Sequence, residues 1–231
     1  CTKLKNADGS NYTGHTGGIA HYKEYIYITG DDGCDVFLLS GITEHKKESV
    51  KIGEVKTLLD PAYCNVYEGK FYTGSFYRAG NYETPEWQRI TTPNGDKNMA
   101  VITVFDIDDS AADTFYISPK PVAAYSTAGL VQGMTFTDDE IVLSTSYGLA
   151  SSHLYFYDKS SISAGQLNLK GENVPLYFLD GACIKRTVTA PPMSEEIVYL
   201  NGRIYIMTES ASSKYIFGKL MSGKHLWSWK V

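Results

Sequence analysis

The sequence predicts an all-β chain, a β-propeller with four recognisable blades. Three observations carry this: one hairpin pattern written four times, a β-rich run after each copy, and no helical period of ten residues or more.

The four copies align without a gap as GGIAHYKEYIYI from Gly17, AYCNVYEGKFYT from Ala62, QGMTFTDDEIVL from Gln132 and EEIVYLNGRIYI from Glu195. In each, a short strand meets a polar pair, Lys23-Glu24, Glu68-Gly69, Asp138-Asp139 or Asn201-Gly202, and a second strand follows. Ile19, Cys64, Met134 and Ile197 are equivalent positions, 45, 70 and 63 residues apart. The first interval is that of a four-stranded propeller blade. The longer two contain insertions, 78–98 and 159–175. Third strands are predicted at CDVFLLS, MAVITVFDID, SHLYFYD and KYIFGKL, and fourth strands at VKTLL, PVAAYS, PLYFLD and HLWSWKV, all rich in β-branched or aromatic residues. The last strand, 225–231, is expected near the N-terminal strand. Pro85, Pro93 and the Asn94-Gly95 turn signal make 78–98 a surface loop, removable without loss of stability.

At 231 residues, 43% hydrophobic and 20% charged, the chain suits one all-β domain spanning 1–231. The 18 Tyr, 9 Phe and 3 Trp suit stacked sheets. A net charge of −5 without a Lys/Arg block argues against nucleic-acid binding, and no apolar run is long enough to cross a membrane as a helix. The chain starts at Cys1 rather than Met and reads as a mature or trimmed piece. Its four cysteines, Cys1, Cys34, Cys64 and Cys183, lack metal-finger spacing and allow three pairings; Cys64, in a core column of the repeat, reads as a small buried hydrophobe. Asn11-Tyr12-Thr13 is a glycosylation sequon, with meaning only in a eukaryotic secreted protein.

The phrases GHTGGIA, QGMTF followed by LSTSYGLASSHLYFYD, and PPMSEEIVYLNGRIYIMTESASSKY resemble a family of secreted, mostly uncharacterised bacterial β-propeller proteins. The resemblance covers about residues 14–40 and 130–216, and 78–98 has no counterpart in it. It implies a secreted or cell-surface location. In that family a further QG-type hairpin precedes the GGIA segment. Its absence here implies either four blades or five with one missing upstream of Cys1, supplied by another chain or segment, with Cys1–Lys5 as that blade's last strand.

Candidate site residues stand out against the repeat. First strands converge on a propeller's axis, where space favours Gly17, Gly18, Ala20, Ala62 and Gly133. Gln132, Glu195 and Glu196 are large polar groups in the same columns. Strand alternation points Glu195 and Glu196 to opposite sides; Glu195 shares its column with Gln132 and reads as the site member, Glu196 as the structural one. Loops at the same blade end bring His15, Asp31-Asp32-Gly33, Asp60-Pro61, 78–98, 146–152, 191–196 and 209–213 to one channel mouth.

Each candidate has a plain structural reading: His15 as a turn hydrogen-bonder, Asp31-Asp32-Gly33 as a turn, and Glu195 and Glu196 as caps of backbone N–H groups or partners of Lys214 or Arg186. Phe76, Tyr77, Tyr82 and Trp87 are either a self-packed loop or a stacking platform. Ser146 in SYGLASSH lacks a nucleophile's partners. Two functions compete. One is a secreted non-catalytic propeller binding a protein, peptide or carbohydrate at the mouth through His15, Asn65, Gln132, Glu195, Glu196, Glu209, Tyr77, Tyr82 and Trp87. The other is a metal-dependent hydrolase or lyase holding Ca²⁺ or Mg²⁺ on Glu195, Glu209 and His15, an oxygen-rich set that suits those ions.

Overall fold

The computed structural model describes residues 2–209 and 225–231. The chain is all-β, and its four repeats are the blades of a β-propeller. It divides into two compact units, one of residues 1–74 and 103–123, the other of residues 75–102 and 124–231.

The first unit opens with β1 (Lys3–Lys5), followed by the first blade, β2 (Ile19–Tyr22), β3 (Tyr25–Gly30) and β4 (Gly33–Leu38), then β5 (Glu48–Val50) and β6 (Gly53–Lys56). β2, β3, β4 and β6 form one antiparallel sheet in that order. β1 pairs in parallel with β5 of the same unit, so its partner is an inserted strand of the first blade. The fourth strand of this blade starts at Gly53, two residues before the predicted VKTLL. One face of the blade buries Ala20, Tyr27, Cys34 and Val36 with Cys64 and Phe71; the other buries Ile26, Ile28 and Phe37 beneath Leu4 and Tyr12. The Tyr12 hydroxyl donates to Asp35 at 2.7 Å, fixing the N-terminal segment on that face.

The second blade begins with β7 (Tyr63–Tyr67) and β8 (Lys70–Gly74). The insertion carries only the short β9 (Ile90–Thr91) and β10 (Lys97–Asn98), and the blade resumes with β11 (Ala100–Ile107) and β12 (Ile117–Thr127). β13 (Val131–Phe136), β14 (Glu140–Thr145) and β15 (Ser152–Asp158) open the third blade, and β16 (Ser163–Leu169) with β17 (Glu172–Phe178) follow before β18 (Ile184–Ala190).

Here the sequence expectation is overturned. PLYFLD, predicted as the fourth strand of the third blade, lies largely in β17, which pairs in parallel with β12 through Ala124↔Leu176, Tyr125↔Tyr177 and Ser126↔Phe178. The true fourth strand is β18, antiparallel to β15. The 159–175 insertion is therefore half of a hairpin that extends the second blade to six strands, in the order β16-β17-β12-β11-β8-β7. Its apolar side chains Val174, Leu176, Phe178 and Leu179 are buried, which is why this segment reads as blade strand and β18, with Lys185, Arg186, Thr187 and Thr189, does not.

The fourth blade holds β19 (Ser194–Leu200), β20 (Arg203–Thr208) and β21 (Trp227–Lys230). HLWSWKV, predicted as its fourth strand, pairs directly with β20 among the described residues, and the predicted third strand KYIFGKL lies outside them. The N-terminal strand that 225–231 was expected to approach takes β5 as its partner instead. Ile197, Ile204 and Ile206 pack with Val142, Leu154 and Phe156 of the third blade, while Val198, Leu200 and Met207 are exposed.

All four hairpins turn at the predicted pairs, with Lys23, Glu68 and Asn201 in the left-handed region that a two-residue turn requires. The insertion 78–98 is a surface loop in its Pro-containing stretches but is anchored by buried polar side chains: Gln88 receives the Ser75 hydroxyl, Thr84 donates to the Met99 carbonyl, and the Asn98 amide donates to Ser126 Oγ at 3.0 Å and to the Leu179 carbonyl at 3.1 Å. The loop is thus not removable at no cost, because its polar stem is part of the packed interior. Asn98→Ala is expected to destabilise by about 2 kcal/mol through two buried acceptors left unmet, lowering the melting temperature by about 4–8 °C. Tyr82→Ala, on the exposed tip, is expected to stay within about 1 °C, since surface changes cost little; calorimetry of both variants checks the contrast.

Candidate functional site

The acids at the start of β19 occupy a β-bulge. Ser194 pairs with Thr208 and Ile197 with Ile206, so three steps on β19 face two on β20. β13 carries the matching irregularity, because Val131 pairs with Thr145 and Gly133 with Ser144, leaving Gln132 as the extra residue. A bulge breaks strand alternation and re-aims side chains. Glu195 and Glu196 accordingly do not split into one buried and one exposed residue: both are buried, 9% and 8% exposed.

The two bulges meet. A Cβ added at Gly133 would lie 2.8 Å from the Glu195 carbonyl oxygen and 2.8 Å from Glu196 Cα, so only glycine lets these backbones approach. Across this contact Glu196 Oε1 accepts the Met134 N–H at 3.3 Å and the Ile197 N–H at 3.2 Å. Glu196 is therefore a structural link between the first strands of the third and fourth blades, the capping role that the sequence allowed it.

Glu195 faces Glu209 instead. Burial, then the charge of Glu209 and a hydrogen bond with it, then Glu196, push the Glu195 carboxyl far above its usual range. At neutral pH Glu195 holds a proton and shares it with Glu209 as an acid–carboxylate pair. Glu209 is fixed by its backbone N–H, which donates to the Met193 carbonyl at 3.0 Å.

A chain of hydroxyls leads from this pair to the loop 146–151. The Ser194 N–H donates to Ser152 Oγ at 3.2 Å, and the Ser152 hydroxyl donates to Ser146 Oγ at 2.9 Å. Ser146 is thus tied into a structural network, in line with its poor match to a nucleophile. Beside it, Tyr147 is 42% exposed, and the Arg78 guanidinium lies 3.8 Å from its ring centroid. The Arg78 N–H donates to the Tyr82 carbonyl at 2.8 Å, and the Tyr82 ring, in a residue 56% exposed, meets Phe76 edge-on at 5.4 Å. Tyr147, Arg78, Tyr82 and Phe76 form one continuous aromatic–cation surface. Sequence reasoning found Phe76 and Tyr82 but missed Tyr147 and Arg78, whose pairing depends on two loops far apart in the chain.

The remaining predicted residues separate. Tyr77 is half-buried, with the Arg89 guanidinium 5.7 Å over its ring and its carbonyl accepting the Leu130 N–H, so it supports the loop rather than presenting a face. Trp87 is partly exposed on the turn Glu86–Gln88. Gln132 is half-buried at the β13 bulge. His15, exposed, and Asn65, half-buried in β7, belong to the first unit. Asp31-Asp32-Gly33 forms the tight β3–β4 connection expected of it, with the Asp32 N–H donating to Asp60 at 3.1 Å. Among the described residues no group of three or more His, Cys, Asp or Glu is placed to hold a metal ion, so the set Glu195, Glu209 and His15 does not form a metal centre there. Cys34, Cys64 and Cys183 are buried free thiols; Cys1, Lys214 and most of 209–213 lie outside the described residues.

No family model matches the chain. No curated protein matches it. Solved structures similar to it include the computationally designed Ika4 protein, at 8% identity and a TM-score of 0.38 over 100% of this chain and 98% of that one. Myxococcus xanthus glutaminyl cyclase aligns at 10% identity and a TM-score of 0.40, over 82% of this chain and 66% of the cyclase. The β-propeller domain of Myceliophteria thermophila Cps50 (Swd1) aligns at 9% identity and a TM-score of 0.35, over 97% and 88%. At such scores none of them bears on what this chain does.

Two outcomes follow from the site. Between pH 4.5 and about 9 the folded chain keeps a Glu195 proton that the unfolded chain has released, so folding stability falls as pH rises through that window. Urea unfolding at pH 5 and pH 8 is expected to show this loss in the parent, and Glu195→Gln is expected to flatten it; an equal slope in both proteins would remove the shared proton from the account. Gly133→Ala is expected to cost about 1–3 kcal/mol by forcing the two bulges apart, measurable as a lower urea midpoint at unchanged slope.

Proposed function

We propose that the chain is a secreted or cell-surface, non-catalytic β-propeller protein of bacterial type that binds a protein or peptide segment through the loops of its second unit. The observation that carries this reading is Arg78 stacked at 3.8 Å on a Tyr147 that is itself 42% exposed, continuous with Tyr82 at 56%. Tyr and Arg presented together, with ring faces already desolvated on one side by the stacked cation, are the residue types that dominate protein interfaces. The secreted location and bacterial type rest on the resemblance of GHTGGIA, QGMTF and PPMSEEIVYLNGRIYIMTESASSKY to the propeller family named above.

The buried acid pair gives this face its selectivity. A Lys or Arg side chain of a bound segment that reaches Glu195 and Glu209 replaces the shared proton with a cation, turning a costly like-charge contact into a charge-assisted one. The arrangement favours a ligand with a basic residue next to an aromatic or aliphatic one. Carbohydrate is the weaker fit, since it offers no cation to the pair.

A random-peptide display library panned on the purified chain is the test. Recovered peptides are expected to carry Lys or Arg beside an apolar residue, and the double variant Tyr82→Ala, Tyr147→Ala is expected to bind them at least about tenfold more weakly. Recovery of no peptide family, or of families that bind parent and variant equally, would overturn the reading.

A further inference from the structure

At the turn between β13 and β14 the third repeat departs from the others. The first, second and fourth repeats turn through two residues, whereas here Phe136 and Ile141 are the last pair and 137–140 form a four-residue loop. Glu140, whose side chain is only 5% exposed, closes it. The loop is pinned rather than slack: the Thr137 hydroxyl accepts the Glu140 N–H at 3.1 Å, and Lys159 Nζ donates to the carbonyls of Thr137 at 2.8 Å and Asp138 at 3.2 Å.

Glu140 lies in the lining of a cavity of about 240 Å³, shared with Asp138, Asp139, Lys185, Arg186 and Tyr199. One of its oxygens, Oε2, accepts from Arg186 Nη2 at 2.9 Å, and that guanidinium is held over the Phe156 ring at 4.1 Å. The other, Oε1, is buried and accepts no hydrogen bond; its nearest cation, Lys185 Nζ, stands off at 3.8 Å. A buried carboxylate oxygen without a donor costs about 1–3 kcal/mol or more, which a fold tolerates where something else supplies the donor.

The chemistry of the missing donor is constrained from both sides. An ammonium placed on Oε1 would sit against Lys185 and near Arg186, both cationic. An anion placed on Lys185 would sit against Oε1. A hydroxyl satisfies both groups at once, donating to Glu140 Oε1 and accepting from Lys185, and the gap between those atoms admits one bridging oxygen. Lys159, Lys185 and Arg186 balance Asp138, Asp139 and Glu140 in charge, and the half-buried Tyr199 ring adds an apolar wall. The cavity is smaller than the roughly 300–1,000 Å³ of sites for drug-sized ligands. We propose that it binds a neutral polyhydroxylated ligand, a single sugar residue, with one hydroxyl bridging Glu140 and Lys185 and the ring lying against Tyr199.

The full chain, labelled with ¹⁵N, is titrated in separate experiments with the methyl glycosides of glucose, galactose, mannose and N-acetylglucosamine, and with glycine, while amide shifts are followed. At least one glycoside is expected to move the amides of 137–140, 185–186 and 199 saturably, and glycine is not. Lys185→Ala keeps the Glu140–Arg186 pair and is expected to bind that glycoside about tenfold more weakly, as for the loss of one hydrogen bond to a charged group. Lys170→Ala, on the exposed β16–β17 turn, serves as the charge-matched control and is expected to bind as the parent does. Silence from all four glycosides, a response to glycine instead, or undiminished binding by Lys185→Ala would each overturn the proposal and leave Glu140 as a solvated ion pair.

Discussion

The closeness of neighbouring first strands is the constraint on which the rest depends. Between the third and fourth blades it is met by Gly133, against which the Glu195 and Glu196 backbone lies too near for any side chain. In the first unit the same demand falls on Gly17, where an added Cβ would come within 2.2 Å of the Ala62 carbonyl oxygen. Backbones this close leave N–H groups pointing at a neighbouring strand rather than at water, and each needs an acceptor. Thr29 supplies one in the first blade, its hydroxyl accepting from both Gly17 and Gly18, and Glu196 supplies it in the fourth. An ionisable group thus entered the interior as a structural acceptor, and its neighbour Glu195 came with it.

That pairing explains the difference between the two acids. Glu196 has N–H donors that stabilise its carboxylate, whereas Glu195 meets a second acid and keeps its proton. Position in the bulge, not residue type, makes one a fastener and the other a group whose charge depends on what approaches it. The aromatic surface on Tyr147 and Arg78 is joined to the same point through Ser146, Ser152 and Ser194, so the loop is positioned by a rigid interior.

Much of this was legible in the sequence because the hairpin repeats. Turn residues fix register locally, so Lys23-Glu24, Glu68-Gly69 and Asn201-Gly202 identified their strands without tertiary information. The column alignment also singled out Gln132 and Glu195, the residues at which β13 and β19 bulge. What the pattern could not carry was partner choice. PLYFLD has the composition of a buried strand whichever sheet it joins, and only its parallel pairing with β12 shows which. A bulge is likewise invisible to an argument from alternation, which is why Glu195 and Glu196 were expected on opposite sides. Tyr147 lacked any local signal, since its significance comes from an arginine 69 positions earlier in the chain.

The β16–β17 hairpin has a consequence for how the second unit folds. It leaves the third blade after β15 and returns at β18, yet its hydrogen bonds are made to β12. The edge of one blade is therefore completed by chain that belongs, in sequence, to the next, so β12 stays an open template until residues 172–178 have been made and docked. Such an exchange binds successive repeats into a single cooperative transition, where a simple array would let each unravel by itself. It also hands the outer edge to β16, whose exposed Ser163, Gln166 and Asn168 offer a neighbouring molecule a polar and weakly adhesive strand in place of the largely apolar β12.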